Sequence, residues 1–254
     1  MDDRVDAETL KDMLHVDKAD FRYKDLSGAT LNGNLLGVDF RGANLRGATV
    51  GSGRHDAYNT HINNVDFRGA NLDGMHFIGS DYSAHYGVHI SDTTFDKGQL
   101  SRIGSMLNVH VYSQDWSGVD LSRCTLKILS MHSVNLQGAQ LGGADFTKSR
   151  LNNVNFTRAS LRNANLAGSE IRKMSFYEAD LRGADLSQAD MTDADLRGAL
   201  FDGPELSCEG LCLDGAKVDK DLAAKITVFA AKPPQGLIVD KEYTREAGDT
   251  DYAC

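Results

Sequence analysis

Between residues 111 and 206 every fifth residue is large and apolar. The series starts at Val111, Trp116, Leu121 and Leu126 and ends at Met191, Leu196, Phe201 and Leu206. That is (206 − 111)/5 + 1 = 20 consecutive positions with no polar exception. The interval suits neither a helix stripe, which recurs every 3.6 residues, nor a half-buried strand, which alternates every two. Two residues before nearly all of these positions stands a small or apolar residue, most often alanine, as at Ala139, Ala144, Ala159, Ala164 and Ala179. Between the two lies Asp or Asn, as at Asp145, Asn165, Asp180 and Asp195. Such a period is read as a repeat before any element is assigned.

Shorter runs in the same phase come first. Phe21, Leu26, Leu31 and Leu36 form one, and a four-residue step leads to Phe40, Leu45 and Val50. Ile62, Phe67, Leu72, Phe77 and Tyr82 form the next, followed by Ile90, Phe95 and Leu100. The phase breaks fall near 34–38, 51–59, 83–89 and 101–109.

If the chain turns after each five-residue side, the central Leu or Phe and the residue two before it both point inward. The other three face water, where Asp, Asn, Ser, Thr, Arg and Gly belong. Glycine at the corner, as at Gly138, Gly143, Gly168, Gly183, Gly198 and Gly203, accepts positive φ without steric cost. Stacked turns exchange backbone hydrogen bonds in a parallel ladder, rungs ~4.8 Å apart. Each turn buries its core only against its neighbours, so the object is quasi-one-dimensional and its ends need caps.

The A(D/N)LxG pattern of "ADLRGADLSQADMTDADLRGA" (179–199) resembles the pentapeptide-repeat proteins, and the resemblance covers roughly residues 19–218. It implies an all-β solenoid, a right-handed quadrilateral parallel β-helix with four pentapeptides per coil. Ten coils would make a rod ~48 Å long at the usual strand spacing. It also implies a non-enzymatic protein with one of many possible partners, since some members protect DNA topoisomerases by imitating the shape and charge of DNA.

The two ends predict short helical caps. Residues 1–18 contain "DAETLKDMLH" (6–15), with Asp6 as N-cap and Leu10, Met13 and Leu14 on one face. Residues 219–254 open with "DKDLAAKITVFAA", whose Leu222, Ile226 and Phe229 are spaced to cover the last coil before Pro233 and Pro234 stop it. The polar residues from 235 on exceed what a cap requires, and their composition leans to solvent. The β-helix itself spans 19–218, interrupted near 51–59 and 83–89.

Composition narrows the function. No Walker-type loop, nucleophile elbow or HExxH occurs, and the repeat itself accounts for the paired Asp residues, so no catalytic residue and no cofactor are expected. "HYGVH" (85–89) lies in a phase break, and His76 and His110 could be near it. No second ligand cluster has zinc-type spacing, so these histidines are read as part of an interaction patch and no metal site is assigned. Cys124 takes an inward position, Cys208 and Cys212 are not spaced as CxxC, and the four cysteines are expected to stay reduced. No apolar run reaches the ~18 residues of a membrane span. The acidic start "MDDRVDAE" is no secretory signal, and a cytoplasmic location is the expectation.

Charge changes the picture further. The net charge of −9 disfavours direct nucleic-acid binding and invites competition for a basic partner. Residues 178–214 hold ten acids against Arg182 and Arg197, a balance of −8. Residues 147–173 hold Lys148, Arg150, Arg158, Arg162, Arg172 and Lys173 against Glu170, a balance of +5. The phase breaks add Arg54, His55, Tyr58, His85 and Tyr86 on what should be loops of a rigid scaffold. A twenty-residue repeat would also stack Tyr112, His132, Asn152, Arg172 and Thr192 on one outward ladder. These residues are the candidate partner-binding set: Arg54, His55, Tyr58, His85, Tyr86, Tyr112, His132 and Arg172. The favoured function is a cytoplasmic inhibitor of a partner protein, such as an immunity protein against an antibacterial toxin. A DNA-mimicking protector of gyrase or topoisomerase and a secreted effector acting as a binding scaffold in a host cell remain open.

Overall fold

The computed structural model describes residues 5, 18–33, 35–51, 60–79, 88–96, 98–201, 208–229 and 235–243. Within them the chain coils as a four-sided, right-handed parallel β-helix. One face is a sheet of β1 (Thr30–Leu31), β2 (Thr49–Val50), β4 (His76–Ile78), β6 (Ser105–Leu107) and β8 (Thr125–Lys127), in that order. Another, called face A below, is formed by β3 (Thr60–Asn63), β5 (Val88–Ser91), β7 (Val109–Tyr112), β9 (Ser130–His132) and β10 (Arg150–Asn152). The remaining two faces are ladders of single parallel bridges, for example Asp115–Asn135–Asn155–Ser175–Asp195 and Gln140–Ser160–Asp180–Leu200.

A side of five residues leaves room for little regular strand. In the side centred on Phe156, the backbone turns when the Ala159 N–H donates to the Phe156 carbonyl at 3.0 Å. The residue two past the centre adopts left-handed φ, as at Arg158 (+58°), Asn163 (+55°) and Gly168 (+65°). The Asp or Asn before the centre braces the same turn: Asn165 Oδ1 accepts the Ala167 N–H at 3.0 Å and Asp185 Oδ1 accepts the Ser187 N–H at 2.9 Å. That bond explains the periodic acids without any catalytic role. Axially, the Leu161 N–H donates to the Asp180 carbonyl one coil on, at 2.7 Å.

The core follows the period. Every fifth side chain from Val111 to Phe201 is buried, with the alanines at 139, 144, 159, 164 and 179 beside them. Like residues meet like along the axis. Phe21, Phe40, Phe67 and Phe95 stack with centroids 5.4, 5.3 and 5.2 Å apart, the spacing a ladder of parallel rungs imposes.

Three details depart from the sequence reading. Leu35 is the inward residue and Leu36 is exposed, so the short step falls at 31–35 rather than between Leu36 and Phe40. A two-residue slip also occurs late in the rod, where Asp195 bridges Lys217 at 22 residues instead of 20. Leu206 lies outside the described residues, and Leu213 holds the next buried place on face A. Tyr82, the expected helix at 6–15 and Gly203 lie outside them as well.

At the C-terminal end, α1 (Lys220–Phe229) follows directly on β11 (Lys217–Asp219). Asp219 caps it, with one carboxylate oxygen accepting the Leu222 N–H at 2.8 Å and the other the Gly198 N–H at 2.8 Å. Leu222 is buried as expected, whereas the side chains of Ile226 and Phe229 lie outside the described residues. The chain then returns. β12 (Ile238–Asp240) pairs in parallel with β11, adding a rung to the rod. The lean of the tail to solvent is thereby corrected for 235–243. Arg197 holds Asp240 at 2.9 Å, and Tyr243, which reaches over Gly198, donates its hydroxyl to Glu178 at 3.2 Å. Polar composition misled because Asp240 and Tyr243 bond to the rod and the backbone of β12 pairs with β11, while most side chains of this stretch stay exposed.

One corner is strained. Ile128 sits at φ +54° and is 47% exposed, so it carries the left-handed penalty of a β-branched residue without burying much in return. Asn153 and Asn163 hold equivalent corners at +53° and +55°. Ile128→Asn should therefore stabilise the rod by ~0.5–1 kcal/mol, seen as a higher denaturant midpoint. An unchanged or lower midpoint would contradict the strain.

Candidate protein-binding surface

Face A aligns five neighbouring parallel strands in register. Ile62, Ile90, Val111, Met131 and Leu151 point into the core, so the residues on either side of each point out. One outward row reads His61, His89, His110, Ser130 and Arg150. The other reads Asn63, Ser91, Tyr112, His132 and Asn152.

The imidazoles stack along the axis. His61 and His89 have centroids 5.0 Å apart, and His89 and His110 have them 4.7 Å apart. Tyr112 lies parallel to both, at 6.1 Å from His89 and 6.4 Å from His110. His89 Nε2 is buried without a hydrogen-bond partner. Burial first, then the neighbouring His110 and His61, lower the His89 pKa to about 4, so this ring is neutral near pH 7. Stacked rings point their lone pairs in parallel, which prevents convergence on one ion. Among the described residues no group of three or more His, Cys, Asp or Glu side chains could hold a metal.

The candidate residues fall into two groups. Tyr112 and His132 are direct neighbours in register, and the Arg150–Glu170 bridge in the adjacent row sets the register that brings Arg172 next to Asn152. Arg172 is exposed, and its Nε donates to Asp190 at 2.6 Å. Arg54, His55, Tyr58, His85 and Tyr86 lie outside the described residues. His76 is on β4 in the other sheet, its Nδ1 2.9 Å from Ser105 Oγ, and so stands apart from His110. The histidine row itself was missed. His61 pairs with His89 at a spacing of 28 and His89 with His110 at 21, so no constant period links them.

The charge sectors meet each other. The belt at 147–173 stands one coil before the acids at 170–190, and four of its arginines use that offset. Arg158 binds Glu178 at 2.7 Å and Arg172 binds Asp190, while Arg150 and Arg162 lie 3.6 Å from Glu170 and Asp180. Exposed pairs of this kind add little stability, typically ~0–1 kcal/mol each. Their larger effect is to mask the belt.

Among the described residues no helix is long and apolar enough to cross a membrane. The family model for pentapeptide repeats matches residues 17–50, 130–168 and 179–217, in eight copies. Similar solved structures include HetL from the cyanobacterium Nostoc, a pentapeptide repeat protein involved in heterocyst differentiation regulation. It is 23% identical, over 79% of this chain and 83% of that one, with a TM-score of 0.48. QnrB1, a plasmid-mediated fluoroquinolone resistance protein, is 19% identical over 82% of this chain and 97% of that one, TM-score 0.31. A pentapeptide repeat protein of the Arabidopsis thaliana thylakoid lumen is 21% identical over 56% and 91%, TM-score 0.30. No curated protein sequence matches the chain.

Proposed function

We propose, from the premise that this chain is a pentapeptide-repeat protein, that it is a non-enzymatic binder that inhibits a cytoplasmic protein partner through face A. The observation that carries this reading is the outward row Tyr112–His132–Asn152, held in register on neighbouring parallel strands. Tyrosine and arginine are frequent anchors of interfaces, and a backbone already in register lowers the ordering cost of binding. An immunity protein that neutralises a toxin is the form of this function we favour.

A second reading is supported by the axial ion pairs. With four belt arginines occupied by acids one coil ahead, the belt no longer opposes imitation of DNA. The sector at 178–214 stays acidic, with ten acids against two arginines. A basic, nucleic-acid-handling enzyme would then be the partner.

Affinity of the purified chain for a partner isolated from its native cytosol separates the two. His132→Ala and Arg172→Ala both alter exposed side chains and should leave the fold intact. On the inhibitor reading, together they weaken the complex by ~2 kcal/mol, about thirtyfold in Kd, and release the partner's activity. A complex indifferent to both, yet lost with Asp185→Asn and Asp193→Asn, rejects face A and establishes the acidic sector as the contact.

A further inference from the structure

Three imidazoles stack in consecutive rungs on one side of the rod. His61, His89 and His110 hold one row on β3, β5 and β7, with planes within 24° and 10° of parallel. Neutral rings at this spacing attract; imidazolium cations 4.7–5.0 Å apart repel. Around the stack stand Tyr112 of β7, Ser130 and His132 of β9, and Arg150 of β10, a further cation two rungs on. Asp92 follows β5 directly, and the charges acting on His89 are those of His110 and His61, both unfavourable to its protonation. Arg54, His55, Asp56, Asp81 and His85 precede β3 and β5 in the sequence and lie outside the described residues.

The same part of the rod departs most from regular coiling. Asp39 to Asp66 and Asp66 to Thr94 are coils of 27 and 28 residues, whereas those from Asp115 to Asp195 take 20 each. Longer loops cost more entropy to close, and local opening concentrates where stability is lowest.

We propose that the His61–His89–His110 stack is an acid-responsive element, whose protonation opens the rungs of β3, β5 and β7 while the regular coils at 115–201 stay closed. The sign follows from His89. Its folded value, about 4, lies below the ordinary 6.5, so its contribution is full above 6.5 and is lost as pH falls toward 4. The carboxylates of the neighbouring coils respond later. The hydrogen bond from Arg22 holds Asp20 at about 2, and those from Arg41 and Arg68 lower Asp39 and Asp66. Acidification therefore reaches His89 before these carboxylates.

Amide hydrogen exchange of the full chain at pH 7 and about pH 4.5, corrected for intrinsic rates, tests this. Protection in β3, β5 and β7 should fall about tenfold or more relative to the amides at 115–201. His89→Phe keeps a ring in the stack without a titrating nitrogen and should preserve protection in acid. If that variant does not fold, His61→Phe, on the half-buried first rung, should show the same effect in smaller degree. Protection that falls evenly along the rod, or falls equally in wild type and variants, overturns the proposal. So does a His89 ring that titrates by NMR near its unfolded value.

Discussion

Leu161→Asp should destabilise the rod by ~5 kcal/mol or more. Leu161 is fully buried, on the ladder of Leu141 and Leu181, and nothing in that core can pair with a carboxylate. The substitution removes the burial of a leucine, ~2–3 kcal/mol, and leaves an uncompensated charge that costs ~3–5 kcal/mol. The carboxyl would take up a proton or pull its coil open. Because each coil leans only on its neighbours, the damage should spread outward from 160 rather than appear everywhere at once. Denaturant melts and exchange of the amides at 140–182 would measure this, with Leu161→Met as the volume-matched control, expected to cost under ~1.5 kcal/mol. A Leu161→Asp rod with an unchanged midpoint would mean that this position does not face the core.

Gly51→Ala is expected to cost ~2–4 kcal/mol, while Gly47→Ala costs only ~1 kcal/mol. Both glycines have left-handed φ, +84° and +65°, so both variants bear the backbone penalty. They differ in what a methyl group would meet. At Gly47 there is nothing within 4 Å, whereas at Gly51 the added carbon would overlap the Ile78 carbonyl and sit 2.7 Å from Val88 Cγ2. Gly51 also donates its N–H to the Leu31 carbonyl at 3.0 Å, which fixes the close approach of the coils before the first long insertion. Equal melting temperatures for the two variants would show that the coil there relaxes freely.

The outward direction of Tyr112 and His132 was readable because side-chain direction follows the same period as burial. Once Val111 and Met131 are inward, Tyr112 and His132 must be outward neighbours, and no contact beyond the coil is needed to say so. His61, His89 and His110 were not readable in this way. Segment 80–87 and one extra residue between Leu100 and Met106 change the spacing, and only backbone pairing shows which residues share a row. The charge sectors failed differently. Their counts were correct, but a count along the chain does not show that Arg158 lies 2.7 Å from Glu178, one coil ahead.

By itself the sequence determined the five-residue side, the inward Leu, Phe and Ala, the left-handed corners and the parallel stacking, while the four-sided coil came from its resemblance to the pentapeptide repeats. These are local rules that each repeat obeys against identical neighbours. The tertiary structure alone decided how irregular coils align across their insertions, which charges cancel, and where the tail goes. Leu35 displaces Leu36 from the core, Asp195 meets Lys217 two residues late, and Arg197 draws Asp240 onto the rod. In each case the choice depends on contacts between coils, whose spacing in sequence varies while the ladder fixes their spacing in space.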